Sequence, residues 1–197
     1  NVECIAEEMV PFKNELAVIV CRNVSGEIKT YPVVEMEFHP EANQVEYVIC
    51  PARIEDSVAE KARAIALSLS VRFEHVGLLA VEMFQTEDNQ ILINEVAPRP
   101  HNSGHYSIEA SYTSQFENHL RAVAGFPLGS TELIVPAAAM ANIVGQVAST
   151  QSASSPPVGV AVHLYGKAPR PGRKIGHVTA VAESPDKAVA LALGTAT

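Results

Sequence analysis

The chain has 197 residues, 47% apolar and 18% charged, a composition that suits a packed core rather than disorder. Its net charge of −8 argues against generic binding to nucleic acid, which needs a basic surface. No apolar run reaches the roughly 18 residues of a membrane helix, because the richest stretch, Leu133–Val147, is interrupted by Pro136, Asn142 and Gly145.

Asn1 is not an initiator Met and no basic-then-apolar leader follows it. Val2–Val20 reads as strand interior, so the chain is expected to begin inside a larger protein. Leu16–Arg22 (LAVIVCR) is rich in β-branched residues and predicts a buried strand. Val24–Glu27 is a turn, Lys29–Met36 the partner strand, Pro40–Asn43 a break and Val45–Cys50 another strand. The opening fifty residues therefore read as an antiparallel sheet. Asp56 or Ser57 caps a helix to about Phe73, with Val58, Ala62, Ile65 and Leu69 on one face. Leu78–Phe84 and Ile91–Val96 are strands around Thr86–Gln90, and Pro98–Gly104 is a polar loop. Ser114–Glu117 is a capping box that opens a helix through Phe116, Leu120 and Val123, closed by Gly125. Gln146–Pro157 reads as a flexible linker. Val158–Tyr165 and Gly176–Ala182 are strands flanking a basic turn, Pro185–Leu193 is a helix, and Leu191–Thr197 reads as a truncated or frayed helix end. There is no internal repeat, and the fold class is α+β with a mainly antiparallel sheet. Cys4, Cys21 and Cys50 form neither a disulfide framework nor a zinc pattern, which points to a reducing, cytoplasmic compartment.

Four constellations carry chemistry. If Asp88-Asn89 is a two-residue hairpin turn, facing residues have numbers that total 177, and Glu82 stands opposite Glu95. Like charges there repel, and a divalent cation such as Mg²⁺ with nucleotide phosphates relieves the repulsion. Asn94 adds a further oxygen. The alternative is two exposed glutamates on the solvent face of a hairpin, and a turn longer by one residue would undo the register. The second constellation is the loop Arg99–His105. Arg99 suits phosphate or carboxylate, His101 can hydrogen-bond or carry a proton, Asn102 and Ser103 offer neutral donors and acceptors, and Pro98 and Pro100 stiffen the loop. A well-capped surface loop is the alternative. The third is Lys167, Arg170, Arg173 and Lys174, in a stretch (Leu133–Ala182) with no Asp or Glu. Pro169, Pro171 and Gly172 predict a tight turn that aims these cations at a phosphate-bearing small molecule, or else they meet acidic groups from elsewhere in the fold. The fourth is Glu7, Glu8, Met9 and Val10 with Glu15, a strand edge able to read adenine and a carboxylate able to accept from ribose hydroxyls. An ordinary solvated turn is the alternative there. The chain lacks a phosphate-cradling glycine loop, a zinc-spaced His/Cys cluster and a nucleophile–His arrangement. His75, His119 and Cys21 read as structural.

NEVAPRPHNSGHYSIEASYTSQFENHLRAVAGFPLGS (Asn94–Ser130) and HLYGKAPRPGRKIGHV (His163–Val178) resemble the carboxyaminoimidazole ribonucleotide synthases, ATP-grasp ligases of purine biosynthesis. The likeness extends through Glu7–Arg22, Tyr31–Glu35 and Val81–Phe84, and is poorest at Gln146–Pro157. It implies an ATP-grasp lobe with a mainly antiparallel sheet (1–130) plus a small C-terminal β-rich domain (131–197), with 146–157 as a flexible loop. It implies a ligase that cleaves ATP to ADP and phosphate and carboxylates 5-aminoimidazole ribonucleotide with bicarbonate through carboxyphosphate. By that resemblance Glu82 and Glu95 hold Mg²⁺ or Mn²⁺, beside Asn94. Glu7, Glu8, Met9 and Val10 form the adenine hinge, Glu15 meets the ribose, and His39 lies near the nucleotide. Arg99, His101, Asn102 and Ser103 hold bicarbonate and carboxyphosphate. Lys167, Arg170, Arg173 and Lys174 meet the ribonucleotide phosphate, with Lys167 as a candidate for stabilising the anionic intermediate. The resemblance also implies a homodimer. Its N-terminal domain and phosphate-binding glycine loop are absent from this chain, so the chain alone is expected to be inactive. Two other readings compete: the formate-dependent ATP-grasp formyltransferase of the same pathway, which typically has Asp where Asn102 stands, and a non-catalytic nucleotide-binding module.

Overall fold

The computed structural model of the protein describes residues 3–42, 44–145 and 156–196. In chain order its elements are β1 (Asn14–Arg22), β2 (Ile28–Thr30), β3 (Val34–Phe38), β4 (Val45–Cys50), α1 (Asp56–Arg72), β5 (Gly77–Gln85) and β6 (Ile91–Ala97). A short 3-10 helix (Asn102–Gly104) follows, then α2 (Ser107–Ala110), α3 (Gln115–Val123), β7 (Ala137–Gly145), β8 (Val160–Leu164), β9 (Arg170–Ala182) and α4 (Pro185–Ala196). The strands form one sheet in the order β6-β5-β1-β3-β4-β7-β9-β8, with β2 also on β1, and every pairing is antiparallel. The sheet crosses position 131 without interruption, through the β4–β7 pairing.

Side-chain parity explains the layers. Successive residues of a strand face opposite sides. Leu16, Val18 and Val20 of β1 and Leu79, Val81 and Met83 of β5 pack with Val58, Ala62 and Ala66 of α1. Ile19 and Cys21 of β1 and Leu78 and Ala80 of β5 pack on the other face with Ala122 of α3. The unbroken apolar run in β1 thus marks a strand covered on both sides. Glu82 continues the Leu78–Ala80 row, so it emerges on the α3 face, beside Ala17 of β1.

Several expectations are corrected. Residues 3–12 carry no strand; the ladder begins at Asn14. The single strand over Lys29–Met36 is two, β2 and β3, because Pro32 between them has no N–H to give the ladder. The deepest face of α1 is Val58, Ala62, Ala66 and Ser70, with Ile65 and Leu69 only flanking it; small side chains let the helix sit close to the sheet. Ser114 does cap α3, accepting from the N–H of Glu117. Leu133–Val147, which carried no predicted strand, contains β7, buried on both faces between β4 and β9. Its alanines are poor strand formers, and burial decides the conformation. The basic segment is not a tight turn. Arg170–Lys174 opens the long strand β9, paired irregularly with the end of β7. Of the predicted linker, residues 146–155 lie outside the described residues.

Candidate functional site

The β5–β6 hairpin builds the acidic part of the site. The two-residue turn at Asp88-Asn89 does not form. The loop is Thr86–Gln90, closed by Thr86 N–H donating to Gln90 O (3.0 Å), with Asn89 at φ 59. Next to this loop the paired numbers total 176, as in Met83↔Ile93 and Gln85↔Ile91. Beyond it they total 177: Glu82↔Glu95, Val81↔Val96 and Ala80↔Ala97. Asn94 is therefore the extra residue of a β-bulge. Without the bulge Glu82 would face Asn94, and Glu95 would point to the other side of the sheet. The longer loop and the bulge offset one another, and the carboxylates face each other as the sequence reading required. Glu82, Glu95 and His101 present ligand atoms that all lie within 4.8 Å of one another.

His101 is held by the loop that follows β6. Ser103 donates its backbone N–H to His101 Nδ1 (3.3 Å), and the Ser103 hydroxyl lies 2.9 Å from the same nitrogen. Nδ1 is thus an acceptor, which puts the proton of the neutral ring on Nε2. Nε2 points at Glu82 Oε1, 3.4 Å away. Burial, reinforced by the cations of Arg99 and Lys174, lowers His101 to about 4, so at neutral pH this is an uncharged N–H beside a carboxylate and no ion pair. Burial raises Glu82 above the ordinary carboxylate range and Glu95 adds to the shift, while Lys174 and Arg99 oppose it. Glu15 lies on the same face, diagonal to Glu82, and burial with the charge of Glu82 lifts it to about 7.

Polar groups from three elements close the site. Asn142 of β7 donates from Nδ2 to Val45 O (2.8 Å), which fixes its amide orientation. It then exchanges two hydrogen bonds with Asn102: Asn102 Nδ2 to Asn142 Oδ1 (2.9 Å) and Asn142 Nδ2 to Asn102 Oδ1 (3.1 Å). Lys174 of β9 donates to Asn102 Oδ1 (3.2 Å). Burial lowers the Lys174 ammonium from its usual value, and Glu82 partly restores it.

The structure thus brings together Glu15, Glu82, Glu95, Arg99, His101, Asn102, Ser103 and Lys174, with Asn94 as the bulge. Arg99 is exposed and gives one Nη1 hydrogen bond to Pro100 O (3.1 Å), leaving its other guanidinium donors available among the described residues. Glu8, Met9 and Val10 line a pocket of about 400 Å³ with Thr86, Glu87, Asp88 and Leu92 of the hairpin; Glu7 beside them is exposed. Lys167 sits 5.2 Å above the Tyr165 ring, Arg173 donates to Ala168 O (3.2 Å), and Arg170 is exposed. His39 accepts from the N–H groups of Glu41 and Ala42 (both 3.3 Å) in its own turn. His75, His119 and Cys21 bond to backbone groups at Leu78 and Asn118. Asn142 and Gln115 were missed by the sequence reading. Asn142 reads in the sequence as an interruption of an apolar run, and a lone polar residue within that run is the one local signal.

The ATP-grasp domain family model matches residues 1–116, and that of the phosphoribosylaminoimidazole carboxylase C-terminal domain matches residues 138–190. An N5-carboxyaminoimidazole ribonucleotide synthase of Bacillus subtilis is 45% identical over 186 residues, covering 93% of this chain and 48% of that protein. A phosphoribosylaminoimidazole carboxylase of Candida albicans is 45% identical over 191 residues, 91% of this chain and 33% of that protein. Among solved structures, the ADP complex of an N5-carboxyaminoimidazole ribonucleotide synthetase superposes with a TM-score of 0.87 at 42% identity, over 96% of this chain and 50% of that one. The Aspergillus clavatus enzyme in complex with ADP and 5-aminoimidazole ribonucleotide gives 0.85 at 36%, over 95% and 52%. The chain spans half the length or less of these curated relatives.

Proposed function

This chain belongs to the ATP-grasp family, and from that premise we propose that it supplies most of the active site of an N5-carboxyaminoimidazole ribonucleotide synthase. The reaction is ATP-dependent carboxylation of 5-aminoimidazole ribonucleotide by bicarbonate, ending in a C–N bond, ADP and phosphate. The observation that carries the reading is the convergence of the Glu82–Glu95 pair of β5 and β6 with Arg99, His101 and Asn102 of the following loop and Lys174 of β9.

The donor chemistry fits a divalent cation. Two carboxylates face each other and burial disfavours the charge on one of them, so a hard ion satisfies both. Glu82 and Glu95 would hold Mg²⁺, or Mn²⁺, and when bound it would neutralise nucleotide phosphate charge. Glu8, Met9 and Val10 would take the adenine in their pocket, with Glu15 toward the ribose. Bicarbonate oxygen attacks the γ-phosphorus, ADP leaves, and carboxyphosphate forms; the substrate amine then takes the carboxyl group and phosphate departs. Arg99 and Lys174 stabilise the anions at each stage as preorganised cations. His101 offers a neutral environment that holds Glu82 in place without competing for the anion.

Asn102 supports the synthase over the formyltransferase. Its amide gives and receives hydrogen bonds with Asn142 and accepts from Lys174, whereas Asp at this position would lose the donor to Asn142. The reading carries homodimeric assembly and a cytoplasmic location with it; sedimentation of the complete protein checks the first.

The test is ADP release by the complete protein. Stimulation by bicarbonate together with 5-aminoimidazole ribonucleotide supports the synthase. Stimulation by formate transfers the site to the formyltransferase, and absence of Mg-ATP binding by calorimetry reduces it to a non-catalytic module.

A further inference from the structure

Gln115 is the first residue of α3, and its side chain is fully buried. Its carboxamide reaches back to the loop before it. Oε1 accepts the backbone N–H of His101 (2.9 Å), and Nε2 donates to the carbonyl of the same residue (2.7 Å). The side chain thus pairs with the backbone of His101 much as a neighbouring strand would. These two backbone partners determine which end of the amide is nitrogen, because an N–H must donate and a carbonyl must accept. Nε2 also lies 2.9 Å from His105 Nδ1. Since Nε2 can only donate, His105 Nδ1 accepts, and the His105 hydrogen resides on Nε2. The Gln115 backbone is fixed in turn: its N–H donates to Ser107 Oγ (2.9 Å), which donates to Gly104 O (2.6 Å). Gly104 lets the amide approach, for a Cβ there would stand 2.8 Å from Gln115 Cδ and 2.2 Å from Ile19 Cδ1.

We propose that Gln115 is a positioning residue for the reaction proposed above: its carboxamide sets the backbone of His101, and with it the imidazole that faces Glu82, while fixing the tautomer of His105. The inference rests on that reading of function for its consequence in turnover. The tautomer it assigns to His105 does not depend on that reading.

The experiment uses the complete protein labelled with ¹⁵N-histidine, in the native form and as Gln115→Glu. The substitution keeps the shape and the acceptor for His101 N–H but removes the donor to His101 O and to His105 Nδ1. In the native protein the His105 ring signals are expected to show Nε2 protonated and Nδ1 bare. In Gln115→Glu the hydrogen is expected on Nδ1, donating to the new carboxylate. The kcat for bicarbonate-dependent ADP release should fall by on the order of tenfold to a hundredfold, the scale of a small misplacement of reacting groups, with the KM for ATP held within about twofold. Native His105 protonated on Nδ1 overturns the proposal, even if the variant fails to fold. Unchanged kcat in a folded variant overturns it too, as does a parallel collapse of kcat, ATP affinity and melting temperature, which would mark a merely structural residue. If the native protein releases no ADP with bicarbonate and 5-aminoimidazole ribonucleotide, the functional reading fails instead, and the His105 signals still decide whether Gln115 makes the tie.

Discussion

Glu35 and Glu82 are the same residue type in neighbouring parts of one sheet, and they have opposite surroundings. Glu35 of β3, 6% exposed, is met by Arg53 through Nη2 (2.6 Å), Nε (3.2 Å) and the backbone N–H (3.0 Å). Burial alone would raise it, but the hydrogen bonds and charge of Arg53 hold it below the ordinary carboxylate range. Glu82, 13% exposed, faces another carboxylate and a neutral imidazole, and its affinity for a proton rises. A carboxylate whose partners are all supplied by the chain does structural work. One whose partners stop short of satisfying it is the candidate to meet a ligand the chain does not contain.

That contrast can be broken from either side. The largest effect is expected at the unsatisfied pair. Glu95→Gln should lower Mg-dependent turnover of the complete protein by at least about a hundredfold, the scale seen when one preorganised charge-stabilising group is lost. Its melting temperature should hold or rise, because a like-charge contact disappears. Kinetics at saturating Mg²⁺ beside a thermal melt reads both; full turnover would remove Glu95 from the site. Next comes the support beneath His101. Gly104→Ala forces a methyl group against Ile19 and Gln115 and should cost about 3 kcal/mol of stability, the upper range for overpacking. Denaturant unfolding measures it, and a neutral result would mean that the 98–105 loop relaxes freely.

How much of this was legible depends on whether the signal was local. β1, β5 and β6 were visible because apolar runs and parity are local patterns, and the Ser114 cap was visible because its partner lies three residues away. The facing of Glu82 and Glu95 was reached through a turn that does not form. A five-residue loop shifts the register one way and the Asn94 bulge shifts it back, and neither is encoded in simple alternation. β7 was invisible because an alanine-rich strand owes its conformation to β4, β9 and α4 packed around it. The four cations read as one cluster along the chain, and the contact of Lys174 with Asn102, near Glu82, comes from the fold. Family resemblance supplied roles for these residues; only the fold separates Lys174 from its neighbours and brings in Asn142 and Gln115.

The satisfied pair gives the smaller effects. Glu35→Gln should lower stability by about 2 kcal/mol at neutral pH, the worth of hydrogen bonds to a charged group, discounted because the Arg53 side chain is 42% exposed and screened by solvent. Turnover per folded molecule should suffer far less than in Glu95→Gln. The pH dependence fixes the cause. Because the folded-state value of Glu35 lies below its ordinary value of 4.5, the unfolded chain takes up the proton first as pH falls. The contribution is therefore fully present above about pH 4.5 and is lost as pH drops through the depressed value. The stability gap between the native protein and Glu35→Gln, measured by urea unfolding at successive pH values, should be constant from neutrality down to about pH 5 and then close. A gap that persists undiminished to pH 3 would mean that Glu35 acts through its shape and packing, and that its charge is not what distinguishes it from Glu82.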